Sequence, residues 1–351
     1  MSDSSGSGHF PPPEAAEPAP PVGVRTSAQR PDQVGRETGP GEPAEQTAQP
    51  VQFRRRINLY LFLATVWSVW FTGLIVHGSP WMFGATILSI LVVHELGHYV
   101  AARLHGVPSS LPYFLPLPLI TPFGTLGAVI VMPDRIRSRK ALLDIGAAGP
   151  LAGMLVAVPL MIYGLSLSEV HPQSPGGYYQ EGQSILYWAL KWLVFGRIPP
   201  GHDVFLHPVA FAAWGGFVVT LLNLIPVGQL DGGHVAYALL GARHNAFARW
   251  LIYIPGLLIA YNAWAYGWPL LSESIQRGNI EPLSQGAETI TSSVGTWVVL
   301  QALLLFARHR WGMEHPPVDE GVLSPGRKVV AVLTLLLFVL LFMPSLLVVF
   351  P

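Results

Sequence analysis

The feature that most constrains this chain is a series of apolar runs, each close to the length that crosses a bilayer. They fall at 57–77, 82–104, 142–165, 209–226, 247–271, 294–307 and 329–350. The hydrocarbon layer is about 30 Å thick, so about 20 helical residues cover it. Backbone polar groups find no water there, which makes helices the natural spanning form. The runs predict about six to seven crossings, with 294–307 the weakest because it is short. A further apolar piece, 235–240, follows the fourth run. Only 11% of the residues are charged, against about a quarter in soluble domains.

Between the second and third runs, segment 107–133 contains Leu111-Pro-Tyr-Phe-Leu-Pro-Leu-Pro-Leu-Ile120. That density of proline prevents a regular helix, and the segment is too apolar for a solvated loop. Non-helical backbone at membrane depth is tolerated where protein or a cavity satisfies it. The predicted fold class is therefore an all-α integral membrane protein with a re-entrant β-hairpin between spans two and three. Residues 183–195 are expected to form a short helix lying at the surface or dipping in.

The first 50 residues are rich in Pro, Gly, Ser, Glu and Gln and nearly devoid of large apolar side chains. Such a segment buries too little surface to offset its ordering entropy. The expected organisation is a disordered cytoplasmic tail over 1–52 and a multi-spanning domain over 53–351, with its core motifs in 80–240. The tail has no apolar core of a secretory signal and more acids than bases, unlike a transit peptide. A bacterial cytoplasmic membrane is the expected location. Arg54, Arg55 and Arg56 precede the first span, which puts the N-terminus in the cytoplasm. Alternation then gives the inside loops Arg135, Arg137, Arg139, Lys140, Arg243, Arg249, Arg308, Arg310, Arg327 and Lys328. The outside loops receive Lys191, Arg197 and Arg277, and the C-terminus lies outside.

The chain has no cysteine, so a metal site must use His, Asp or Glu. The second span carries His94-Glu-Leu-Gly-His98, an H-E-x-x-H pattern. On a helix, His94 and His98 share a face one turn apart and can grip one zinc ion. Glu95, beside the first ligand, is placed to act as general base toward a water held at the metal. Ionisable groups inside an apolar crossing are costly and usually functional. A catalytic zinc needs a third protein ligand and an open position. Asp231, in Asn223-Leu-Ile-Pro-Val-Gly-Gln-Leu-Asp-Gly-Gly-His234, approaches the same side of the membrane. It reads either as that third ligand or as the cap of a helix starting near residue 232.

The motifs HELGH at 94–98 and NLIPVGQLDGGH at 223–234 resemble the site-2 protease family of intramembrane zinc metalloproteases (peptidase M50). The glycine-rich stretches Phe123–Ala128 and Asp144–Gly153 resemble the family's sequence between those motifs. The resemblance implies one Zn2+ per chain on His94, His98 and Asp231, with Glu95 as base. Asn223 would hold the substrate backbone or steady the oxyanion. It also implies hydrolysis of a membrane protein's transmembrane segment, as in regulated intramembrane proteolysis, with the hairpin offering its edge to an unwound substrate strand. Segment 166–207 is too short for the PDZ domain many bacterial members insert there, and Gly228 stands where many have proline. The pattern looks most like the PDZ-free branch that includes plastid and cyanobacterial members.

Other features point less sharply. His234 reads as a partner of Asp231 or as a helix-terminal histidine at the interface. His202, Asp203 and His207 read as a second metal site or a solvated loop. Gly149, Gly153 and Gly164 suit helix packing. The rival function is a non-proteolytic zinc-binding membrane protein or metal transporter, which does not need Glu95 beside a ligand. The partners implied are a transmembrane substrate and the lipid bilayer. Zero net charge argues against nucleic acid, and nothing in the sequence sets an oligomeric state.

Overall fold

A computed structural model describes residues 55–132, 136–173, 177–311, 314–319 and 321–350. The predicted tail over 1–52, Arg54 and Arg135 lie outside the described residues. The chain is mostly helical. In order, the elements are α1 (Arg55–His77), α2 (Pro80–Leu104), β1 (Tyr113–Pro116), β2 (Thr125–Val129) and α3 (Arg139–Ser166). Next come β3 (Glu169–Pro172), β4 (Tyr178–Glu181), α4 (Ile185–Phe195), β5 (His202–Phe205), α5 (Pro208–Asn223) and α6 (Asp231–Leu240). The last are α7 (Arg243–Leu251), α8 (Ile254–Arg277), α9 (Glu281–Gln285), α10 (Ala287–Trp311), α11 (Pro325–Leu341) and β6 (Leu347–Phe350).

Among the described residues, four helices are long and apolar enough to cross a membrane: α2, α3, residues 56–77 of α1 and residues 287–310 of α10. The short sixth run is thus part of a 25-residue helix, α10. Its Ser and Thr residues hid the length of that helix from a purely apolar reading. The fourth run forms α5, 16 residues long, about 24 Å at 1.5 Å per residue. The fifth is broken between α7 and α8, where Pro255 opens the second helix; proline suits a first turn but cannot continue a helix through its own position. The seventh yields a 17-residue helix, α11, and then a strand. Pro344 separates them, and β6 pairs antiparallel with β4. This ladder and the β3–β5 pair were not anticipated, because four-residue strands carry too little period-2 signal to be read.

Helices α2, α3 and α5 pack on one another and α3 also on α6. Their shared core holds Phe83, Ile87, Ile90, Met161, Trp214 and Phe217, all buried.

The expected hairpin forms within 107–133, with β1 antiparallel to β2 and Tyr113 opposite Val129. Part of its backbone is satisfied by one polar stripe on α1. Asn58 Nδ2 donates to the carbonyls of Leu111 (2.7 Å) and Pro112 (3.0 Å). Ser68 Oγ donates to the Gly124 carbonyl (2.5 Å). The Leu119 amide, at φ 58°, donates to Thr72 Oγ1 (3.3 Å). Asn58, Ser68 and Thr72 are buried, and offsets of 10 and 14 residues keep them on one face. An otherwise apolar helix therefore carries the hydrogen-bonding groups that an irregular backbone needs away from water.

Gly124 closes this contact. It has φ +73°, and an added Cβ would sit 2.8 Å from the Ser68 carbonyl oxygen. Gly124→Ala is expected to cost about 1–3 kcal/mol, read as a lower melting temperature in detergent. An unchanged melting temperature would show that the hairpin does not depend on this approach to α1.

Candidate metal centre

His94 and His98 stand one turn apart on α2, and both are buried. Asp231 is the first residue of α6. Leu230 occupies the capping position with no side-chain cap bond, so the Asp231 carboxylate does not serve as a helix cap. It turns to the two imidazoles instead. His98 Nε2 lies 3.2 Å from Asp231 Oδ2, and His94 Nε2 lies 3.4 Å from it. The two Nε2 atoms are 3.1 Å apart. Residues more than 130 positions apart thus meet as two nitrogens and an oxygen.

These distances bear on what the site can hold. A tetrahedral ion with bonds of about 2.0–2.1 Å separates its ligand atoms by about 3.3–3.4 Å. The three observed edges fall at or just inside that value. His98 Nδ1–H donates to the Ile145 carbonyl (2.8 Å) on α3, so in the neutral ring Nε2 is the lone-pair nitrogen. A carboxylate oxygen and a lone-pair nitrogen facing each other repel unless a cation or proton lies between. Among the described residues, His94, His98 and Asp231 are the only group of three such side chains close enough to share an ion. The donor set, two imidazoles and a carboxylate without thiolate, suits zinc.

The other expected site residues gather here too. Asn223, the last residue of α5, has its amide nitrogen 3.3 Å from His94 Nε2. Glu95 is buried on α2, near enough to His98 and Asp231 for their charges to act on it. His202, Asp203 and His207 take no part. Asp203 Oδ1 accepts from Lys191 (3.4 Å), and His207 caps α5 by accepting from the Val209 amide (3.3 Å).

Four contributors were not legible as such. The Ile145 carbonyl orients His98, and a backbone group leaves no mark on residue type. Gly149 and Gly153 do more than pack helices. A methyl group on Gly149 would overlap the His98 ring, and one on Gly153 would lie 3.2 Å from His94 Nδ1. Small residues at four-residue spacing were the available signal. His315, in the connector before α11, lies with Nε2 2.9 Å from His234 Nδ1. Its ring stacks on Tyr237, centroids 4.2 Å apart. Burial holds the His315 imidazole below its ordinary pKa, and the ring grips the helix that begins with Asp231.

Residues 82–260 match the profile of the family described as Peptidase family M50. The chain belongs to that family, the site-2 proteases that its two motifs resemble. Among curated proteins it is similar to "Probable zinc metalloprotease EGY2, chloroplastic" of Oryza sativa subsp. indica, 33% identical over 236 residues, covering 64% of this chain and 41% of the relative. The Arabidopsis thaliana protein of the same name is 32% identical over 231 residues, 64% of this chain and 40% of the relative. "Probable zinc metalloprotease EGY1, chloroplastic" of Arabidopsis thaliana is 31% identical over 218 residues, covering 60% and 38%. The chain thus spans about two fifths of the length of these relatives. No solved structure matches it.

Gly149→Ala should lower zinc affinity by about tenfold or more, the cost of disturbing a ligand's orientation, and Gly153→Ala by less. Chelator competition on purified protein measures both. Equal affinity in Gly149→Ala and the parent would show that α3 does not set the His98 ring.

Proposed function

We infer that this chain is an intramembrane zinc metallopeptidase that hydrolyses peptide bonds within or next to a transmembrane segment of a protein substrate. The observation that carries the reading is the meeting of His94, His98 and Asp231 at the edge lengths of a tetrahedral site, with a glutamate adjoining the first histidine. Family membership and the named activity of the relatives support it.

In this reading His94, His98 and Asp231 hold one zinc ion per chain. When bound, zinc supplies Lewis-acid polarisation of the scissile carbonyl and makes water more acidic. Glu95 accepts a proton from the attacking water and delivers it to the departing amine nitrogen. The Asn223 amide donates to the substrate backbone or to the oxygen on which charge builds. The apolar wall around them keeps bulk water from screening these interactions. The hairpin enters the membrane from the side of the metal centre, and its free edge pairs with an unwound substrate segment.

The peptidase domain occupies 53–351, with six to seven crossings and the metal centre nearer the cytoplasmic face. Arg327, at the start of α11, donates from Nη2 to Asp144 Oδ2 (2.7 Å) near the start of α3. Arg139, at the start of α3, donates from Nε to the Ala238 carbonyl (2.6 Å). These contacts support placing the Lys- and Arg-rich ends of α3 and α11 on one side, as alternation with an inside N-terminus requires. A transport reading gives Glu95 no task, and no observation favours it.

The test uses a single-span protein co-reconstituted with the peptidase in liposomes. Glu95→Gln should retain one zinc per chain and lose at least about 100-fold in cleavage rate, the range for removal of a general base. Cleavage at the parental rate with zinc retained would remove Glu95 from the chemistry and the peptidase assignment with it.

A further inference from the structure

Helix α4 inverts the usual amphipathic arrangement. Its inward residues include Tyr187, Leu190 and Lys191, all buried. Its outward residues are Ile185, Trp188, Ala189, Trp192 and Leu193, an i, i+3, i+4, i+7, i+8 stripe without a charge. Trp188, Trp192 and Leu193 are 60%, 60% and 63% exposed. The helix's one cation is turned into the protein. Lys191 Nζ reaches Glu181 Oε1 (3.3 Å) and Asp203 Oδ1 (3.4 Å) and lies over the Tyr187 ring. Tyr187 OH also donates to Glu181 Oε1 (2.8 Å). Two carboxylates and the face of the Tyr187 ring thus take up the only charge that would oppose an apolar setting for the outer face.

The ends of α4 are closed as well. Ser184 Oγ accepts from the Tyr187 amide (3.1 Å), and Gly196, at φ +65°, ends the helix with its amide on the Trp192 carbonyl (2.8 Å). Eleven residues rise about 16 Å, too little to span. Position along the bundle follows from α3 and α5. The metal centre contacts α3 at Ile145 and Gly149 and lies at the end of α5, whereas α4 sits in the connector joining the end of α3 to the start of α5. From Ile145 to Leu165 the rise is about 30 Å, the thickness of the hydrocarbon layer.

The outer face of α4 runs on into a further exposed apolar surface. Ile185 shares an apolar cleft with Phe338, Val339 and Phe342 of α11 and its margin. The adjoining outward side of α11 exposes Val332, Leu336 and Val339.

We propose that α4 lies along the water–lipid boundary on the membrane face away from the metal centre, with Ile185, Trp188, Trp192 and Leu193 among lipid acyl chains. Tryptophan favours that depth because its ring is apolar and its N–H is wet. Its continuity with the exposed apolar side of α11 and its two tryptophans favour lipid over a protein partner as the occupant. This inference is independent of the peptidase assignment.

The chain's lack of cysteine makes the test clean. Single variants Trp188→Cys, Trp192→Cys and Ala189→Cys carry a nitroxide label in liposomes, and power saturation reports access of oxygen and of a water-soluble nickel chelate. Leu63→Cys, outward on α1, is the lipid reference, and Glu169→Cys, exposed on β3, the water reference. The expected result is oxygen access with nickel exclusion at 188, 189 and 192, matching position 63. Nickel access matching position 169 would place the face in water. Exclusion of both reagents would mean that protein covers it. Either result overturns the proposal, and Ala189→Cys, the smallest change, guards against misfolding of the tryptophan variants.

Discussion

Three electron-pair donors, two imidazole nitrogens and a carboxylate oxygen, meet inside an apolar bundle, and the surrounding architecture follows from having to hold them there. Unpaired charge at such depth is costly, and the like-signed partial charges of the three atoms push them apart. The arrangement persists because α2, α3, α5 and α6 are locked around it. Glycines on α3 let its backbone lie against the histidine rings, and the Ile145 carbonyl fixes His98 by its far nitrogen. Arg139 and His315 fasten α6 from two directions. Asp231 itself rides on a ten-residue helix that would not hold its place alone.

The hairpin raises the same difficulty with backbone in place of side chains. Its prolines forbid a helix, so its buried amides and carbonyls need partners from elsewhere in the protein. The stripe of Asn58, Ser68 and Thr72 provides them. A polar stripe on an outer helix is therefore part of the hairpin's structure, and the two elements stand or fall together. In the connector between α3 and α5, Lys191 shows the converse solution, a charge drawn inward beside a helix face that stays apolar.

Much of this was legible from residue order because the strongest signals are local. Twenty-residue apolar runs, an i, i+4 histidine pair and a proline-dense segment each imply a conformation without knowledge of the rest. The structure places α1, α2 and α3 within a few residues of the runs at 57–77, 82–104 and 142–165. Asp231 was ambiguous, since the same residue type caps helices and ligates metals; only the tertiary placement of α6 directs its carboxylate to the imidazoles. The Ile145 carbonyl and the His315 clasp were unreadable for a related reason. Each depends on which distant turns meet, and neither leaves a pattern in neighbouring residues. The short strands near the ends of α3 and α11 escaped because four residues carry almost no periodicity.

The central claim is that His94, His98 and Asp231 form one zinc site. X-ray absorption at the zinc edge of the full-length protein in detergent, beside the Asp231→Ala variant, tests it most directly. The account predicts one zinc per chain in a light-atom shell at about 2.0–2.1 Å with imidazole scattering, and loss or weakening of that binding in Asp231→Ala. A folded protein that takes up no zinc when it is supplied, or a zinc shell unchanged in Asp231→Ala, would contradict it.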